Sequence, residues 1–253
     1  MAEERTKQLA LEYLNRAPLC HMDMLEPIRR GQAEIRYAGP DGVFLFEPRS
    51  RTYMLSAGSR EAARRLTEGV TVGTELFVAH HEEDARMLCE KFGYGEIHGT
   101  MQAVYTRPAP PAVREAAEIR VLGPEWLPTV QQHYQTVSDG EYLEERLREG
   151  SMYGAFWGAE YGAFCRSEPF CGGELAGFIG MHPEGSIGLL TVLPAFRRRG
   201  IAAQLEADAV RRGLAQGQIP FSQIFFGNEA SFALHEKLGF ELAEEPLYWL
   251  WKD

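Results

Sequence analysis

The sequence predicts an α/β chain (α+β in some schemes) built from two related halves, and three observations carry that expectation. Helical and strand-like periodicities alternate along the 253 residues instead of segregating. The stretch Arg107–Val113, RPAPPAV, divides the chain near its middle with prolines that can neither continue a helix nor sit in a central strand. Finally, Leu76–Tyr94, LFVAHHEEDARMLCEKFGY, and Ile224–Phe240, IFFGNEASFALHEKLGF, repeat one another. In each, an apolar strand passes through a polar turn into a helix that ends Glu-Lys-x-Gly-aromatic, the Gly suiting a left-handed cap. The length suggests two domains, with expected bounds 1–106 and 114–253 on either side of the 107–113 linker.

Residues 2–16 carry Leu9, Leu11 and Leu14 among charges and read as a helix. Pro18 suits the first turn of a second helix that runs to about Arg30 and stops at Gly31. Strand-like runs follow at Ala33–Tyr37, Val43–Phe46 and Thr52–Leu55, separated by the turns GPDG and EPRS. Ser59 is a candidate N-cap for a helix to Thr67. A strand at Glu75–Ala79, a helix at Glu82–Phe92 and a strand at Gln102–Tyr105 complete the first half. Beyond the linker, strands are expected at Ala117–Val121, Met152–Phe156, Leu175–His182 and Gly185–Leu193, with helices at Glu125–Gln135 and Tyr142–Glu149. A long helix from Gly200, a strand at Phe221–Phe226, a helix at Glu229–Leu238 and strands at Phe240–Ala243 and Leu247–Trp251 close the chain. The tetrapeptide YGAF occurs at Tyr153–Phe156 and again at Tyr161–Phe164, and reads as part of a long hairpin loop or a flap over a pocket.

Composition removes several functions. A net charge of −10 argues against nonspecific nucleic-acid binding, which needs a basic surface. No apolar run reaches membrane-spanning length, and the charged N-terminus lacks a signal-peptide core, so a cytoplasmic location without membrane association is expected. Cys20, Cys89, Cys165 and Cys171 form no C-x-x-C pair, so reduced thiols and no metal are expected. His80-His81 with Glu82, Glu83 and Asp84 reads as an acidic helix start, where carboxylates meet the helix dipole, rather than as a metal site.

The most informative stretch is Thr191–Gln204, TVLPAFRRRGIAAQ. A strand enters a Pro-containing basic turn and continues directly into a helix with Ile201, Leu205, Ala209 and Val210 at helical spacing. The first amides of such a helix lack internal partners and face outward with the positive end of its dipole. Gly200, Ala202 and Ala203 leave that backbone open, and Arg197, Arg198 and Arg199 add charge. The stretch reads as an anion cradle suited to a pyrophosphate, an exposed basic helix cap being the alternative. Where the first half should hold its counterpart the chain is YMLSAGSREAARRL, without the Arg-x-x-Gly-x-small turn.

With Val192-Leu193-Pro194 before this turn, and with Asn228-Glu229-Ala230-Ser231 and Leu234-His235-Glu236-Lys237-Leu238-Gly239-Phe240 after it, residues from about 115 to 253 resemble the GNAT superfamily of acyl-CoA-dependent N-acetyltransferases. The first half looks like a degenerate copy of the same unit. The resemblance implies a mixed, mostly antiparallel sheet, splayed beside the strand that ends at Leu193 and flanked by helices, in two tandem units. It implies acetyl-CoA or another acyl-CoA as co-substrate, its arm on the backbone of Val192 and Leu193. Its pyrophosphate would lie on Arg197, Arg198, Arg199, Gly200, Ile201, Ala202 and Ala203, and its far side on Asn228, Ser231 and His235. The implied reaction is direct transfer of an acetyl or other short acyl group to a primary amine of a small molecule or peptide. A backbone N–H near Leu193 would stabilise the oxyanion.

Two departures from the family stand out. The family's usual acid, a Tyr, is replaced by His235, which would donate as imidazolium, merely hydrogen-bond the sulfur, or pack on the helix. The strand Gly185–Leu193 has no carboxylate to serve as base, leaving Glu184, His182, Tyr248 or a water chain. These departures keep a non-catalytic acyl-CoA-binding or scaffold protein open as the alternative. A homodimer is compatible with the sequence, and the acceptor's identity is not encoded in any motif.

Overall fold

The computed structural model describes residues 2–74, 76–134, 140–158 and 173–252. The first half contains α1 (Ala2–Leu14), α2 (Met22–Arg29), β1 (Glu34–Gly39), β2 (Gly42–Glu47), β3 (Thr52–Ala57), α3 (Arg60–Leu66), β4 (Leu76–Ala79), α4 (Glu82–Phe92) and β5 (Glu96–Val104). The second contains β6 (Glu118–Val121), α5 (Leu127–His133), α6 (Gly140–Arg148), β7 (Met152–Trp157), β8 (Glu174–Met181) and β9 (Ile187–Val192). After these come α7 (Ile201–Ala215), β10 (Phe221–Phe225), α8 (Glu229–Leu238), β11 (Glu241–Leu242) and β12 (Leu247–Trp251). The second YGAF copy, Cys165 and Cys171 lie outside the described residues.

Local chemistry sets most boundaries. Ser59 Oγ accepts the Ala62 N–H at 3.2 Å and starts α3. Gly93 (φ 72°) and Gly239 (φ 85°) end α4 and α8 in the left-handed region, so the repeated Glu-Lys-x-Gly segments share one cap geometry. Pro18 does not open a helix. The Cys20 and His21 amides bond to the carbonyls of Ala17 and Pro18 three residues back, and α2 begins only at Met22.

The strands form one mixed, mostly antiparallel sheet in the order β1-β2-β3-β4-β12-β5-β10-β9-β8-β7-β6, with β11 also on β5. Alternate residues of a strand face opposite sides, and the cores follow. In the first half, Leu45 and Met54 pack with Leu14 of α1 and Leu25 of α2, while Phe44 and Leu55 pack with Ala63 of α3 and Leu88 of α4. In the second half, Phe178 and Leu189 pack with Val130 of α5 and Leu143 of α6. Across the sheet, Ile179 and Ile187 pack with Leu205 of α7 and Leu238 of α8. The halves thus repeat two helices on one face, three strands, and two helices on the other.

Each half also holds a strand of the other. β12 lies between β4 and β5, while β5 pairs with β10 through Thr100–Val104 and with β11 at Ala103–Val104. This exchange explains why β5 exceeds the short strand expected at Gln102–Tyr105. Its first segment, Glu96–Thr100, has a weak strand pattern of its own and is held by β12.

Candidate active site

The two halves differ at equivalent parallel strand pairs. β3 and β4 stay paired over four registers, from Thr52–Leu76 to Leu55–Ala79. β9 and β10 pair only at Ile187–Ser222 and then part. Beyond that point β9 exposes its edge on the side away from β8. Leu193 N–H bonds inward to Ala176 O at 2.9 Å, so the Val192 carbonyl, one residue earlier, points into the gap, where Arg197 Nε reaches it at 3.2 Å. A bulge between the Phe178–Thr191 and Gly180–Gly188 pairs places Leu189 at φ 56°. Positive φ costs free energy in a bulky residue, and such strain gathers at functional sites.

The turn after β9 shows the same feature. Arg198 (φ 63°) and Gly200 (φ 86°) both adopt the left-handed region, and α7 starts immediately beyond them. Gln204 N–H is the amide that closes on the Gly200 carbonyl, at 3.0 Å, leaving the amides of Ile201, Ala202 and Ala203 at the open helix end. A Cβ at Gly200 would meet no atom within 4 Å, so open space lies before the turn. The Arg197, Arg198 and Arg199 side chains are exposed. Arg199 lies over the Trp157 and Phe196 rings at 5.1 and 5.8 Å, a cation–π arrangement that holds its charge beside the turn. Open helix amides beside a sheet opening are an arrangement that can hold an oxyanion.

Behind the opening sits a buried polar cluster. Asn228 Oδ1 caps α8 by accepting the Ser231 N–H at 3.2 Å. One turn on, His235 Nδ1 lies 2.8 Å from the Ser231 carbonyl and 3.4 Å from its Oγ. Its Nε2 lies 3.4 Å from Glu206 Oε1 of α7, close enough to pair charges but without hydrogen-bond geometry. Glu206 Oε1 is also 3.4 Å from Ser222 Oγ, on the β10 residue that pairs with β9. Burial lowers the His235 pKa, but the Glu206 carboxylate and the Ser231 carbonyl outweigh it and raise the pKa above its ordinary value.

The remaining candidates are not brought together. Glu184 is buried in the turn before β9, where its carboxylate accepts from Ser186 Oγ. His182 Nδ1 faces the Tyr142 hydroxyl, and burial, then Arg146, lower its pKa against the pull of Glu184. Tyr248 is on β12, beside α4. Three strand spacings, about 14 Å, separate it from β9. Glu206 and Ser222 escaped the sequence reading. Their signal was a carboxylate between Leu205 and Ala209 on the apolar stripe of α7, which a buried partner must compensate.

Comparisons with known proteins agree with this architecture. Residues 162–250 match the family described as FR47-like protein. A search of curated proteins finds no match. Among solved structures, a Drosophila protein is similar with a TM-score of 0.61 at 19% identity, over 84% of this chain and 74% of that one. A putative acetyltransferase from the GNAT family of Novosphingobium aromaticivorans has a TM-score of 0.50 at 17% identity, over 92% and 95%. The GCN5-related N-acetyltransferase-like protein of Streptococcus suis has 0.52 at 15%, over 96% and 100%. No helix among the described residues is long and apolar enough to cross a membrane. The chain therefore has the GNAT fold, with an FR47-like match in its C-terminal region.

Proposed function

We propose that the second half transfers an acetyl or other short acyl group from acyl-CoA directly to a primary amine of a small molecule or peptide in the cytoplasm. The supporting observation is the β9–β10 opening, which leads straight to the left-handed Arg198–Gly200 turn at the start of α7. An extended pantetheine arm would add to the open edge at Val192 as a strand adds to a sheet. The pyrophosphate would sit on the amides from Arg198 to Ala203, with the Arg197, Arg198 and Arg199 charges around it. Asn228, Ser231 and His235 would flank the cofactor's other side. Since Leu193 donates its own N–H to Ala176, the oxyanion donor near Leu193 is assigned to an outward amide of β9, on Val192 or beside the Leu189 bulge. Holding thioester and amine in line would remove much of the entropic barrier, and the donor would stabilise charge developing on the carbonyl oxygen. Water, or Glu184 from the far end of β9 through a water chain, would accept the amine proton, and an imidazolium at His235, its nitrogens turned to Ser231 and Glu206, would favour the leaving thiolate by its charge.

The paired β3–β4 strands leave the first half without an equivalent opening, so a single acyl-CoA per chain is expected. Titration of the full chain with acetyl-CoA and longer acyl-CoAs, followed by an amine panel read by free-thiol release, tests this function. Saturable binding at one site with thiol release is the expected result. Binding without turnover across the panel would support a non-catalytic acyl-CoA-binding protein, and absence of binding would overturn both readings.

A further inference from the structure

At the other end of β9, where the halves meet, a cavity of about 200 Å³ is lined by Arg30, Arg49, Arg146, Glu149, Tyr153 and His182 among others. Arg30 follows α2, Arg49 lies in the β2–β3 turn, and Arg146 belongs to α6. Arg146 carries the argument. Its side chain is 1% exposed, and its Nε and Nη2 have no hydrogen-bond partner. Two carboxylates neutralise part of its charge: Glu149 Oε2 at 3.1 Å from Nη1, and Glu145 Oε2 at 3.5 Å from Nη2. Glu149 is shared, since Arg49 Nη2 binds the same oxygen at 2.6 Å. Glu145 is largely exposed and weakened by solvent screening.

Three guanidinium groups line the cavity with one carboxylate, Glu149, and Arg30 Nη1 donates to the Glu184 carbonyl at 3.4 Å. Burial lowers the Arg30 pKa, and the Arg49 charge lowers it further, against Glu26, Glu184 and Glu47, which raise it. Gly185, at φ 108°, lies against the Arg30 guanidinium. Leaving charged donors buried without acceptors is costly, and a guanidinium fork is satisfied best by a planar or tetrahedral oxyanion.

We infer that this cavity binds a small oxyanion, a carboxylate or phosphate group, on the Arg146 fork with Arg30 and Arg49 supplying further charge. The volume is below the roughly 300–1,000 Å³ of sites for whole drug-sized ligands, so it suits a single anionic group rather than a nucleotide. The inference does not depend on acyl transfer, since the cavity adjoins the β8–β9 turn and the acyl-CoA turn lies beyond the opposite end of β9.

Thermal unfolding of the full chain, with inorganic phosphate or acetate titrated at constant ionic strength against chloride, tests it. A saturable rise in Tm is expected with at least one of them, the tighter anion identifying a phosphorylated or a carboxylate ligand. Arg49→Ala, at an exposed position, should weaken the fitted Kd at least tenfold, and Arg146→Lys should do so by removing the fork while keeping the charge. No saturable rise with either anion would overturn the inference, as would a Kd unchanged in Arg49→Ala.

Discussion

His235 Nε2 and Glu206 Oε1 lie 3.4 Å apart in a buried contact between α8 and α7, while His235 Nδ1 faces the Ser231 carbonyl at 2.8 Å. A carbonyl can only accept, so Nδ1 carries a proton. A neutral ring would then turn the Nε2 lone pair toward the Glu206 carboxylate, which is repulsive. A second proton on the ring relieves that repulsion, in keeping with the raised His235 pKa.

That proton predicts a pH profile. With saturating acyl-CoA, kcat should stay level through about pH 6.5 and fall at more alkaline pH as the imidazolium is lost. Glu206→Gln should move the fall to lower pH, and His235→Phe should remove it. The linkage has the same sign: stabilisation from the raised pKa is complete below about 6.5 and lost as pH rises through the folded value. An NMR titration of His235 with a midpoint at or below 6.5 would sink this account.

The α7 turn predicts a separation of binding from stability. Ala202→Glu puts a carboxylate in the first turn of α7, where the helix dipole favours it, so Tm should hold or rise slightly. The same charge would oppose a bound pyrophosphate and should weaken acyl-CoA binding at least tenfold. Gly200→Ala, at φ 86°, should instead cost about 1 kcal/mol of stability. Calorimetric titration and urea unfolding of both variants measure the two effects.

A third prediction concerns acid stability. His21 Nε2 bonds to Ser56 Oγ at 2.8 Å, and the ring lies 4.8 Å from that of His80, which in turn contacts Asp23. Burial, then the neighbouring His80 charge, lowers the His21 pKa from 6.5 to about 4. The unfolded chain therefore takes up a proton that the folded chain refuses. Stability is full above about 6.5 and should decline by roughly 3 kcal/mol as pH falls toward 4. Urea midpoints should fall across that window, and His21→Gln should flatten the dependence.

Much of this architecture was visible in residue patterns because it is local. The Ser59 cap, the Gly93 and Gly239 stops, and the turn from Pro194 to Gly200 each depend on neighbours in sequence. What escaped depends on distant partners. Glu96–Thr100 becomes strand because β12 arrives from the C-terminus. Glu206 finds His235 through the packing of two helices, and Arg146 meets Arg30 and Arg49 through the meeting of the halves. Tyr248 was a candidate base on the closing strand, yet β12 crosses into the first half and carries it three strand spacings from β9.

That crossing carries the last prediction. β12 fills the gap between β4 and β5 and buries Leu247 and Leu250. Burial of such side chains contributes about 1.5–3 kcal/mol each, and removing the strand would also break ladder bonds on both sides. Set against a typical total stability of about 5–15 kcal/mol, a chain ending at Glu245 should not fold cooperatively. By the same reasoning, residues 1–106 alone lack β12, and residues 114–253 alone lack β5, so neither piece should show a sharp thermal transition. Co-expressed, the two pieces should associate and regain one, because each supplies the strand the other lacks. Circular dichroism melts of each piece and of the mixture decide the matter, and a cooperative transition in residues 114–253 alone would show that the exchanged strand is dispensable.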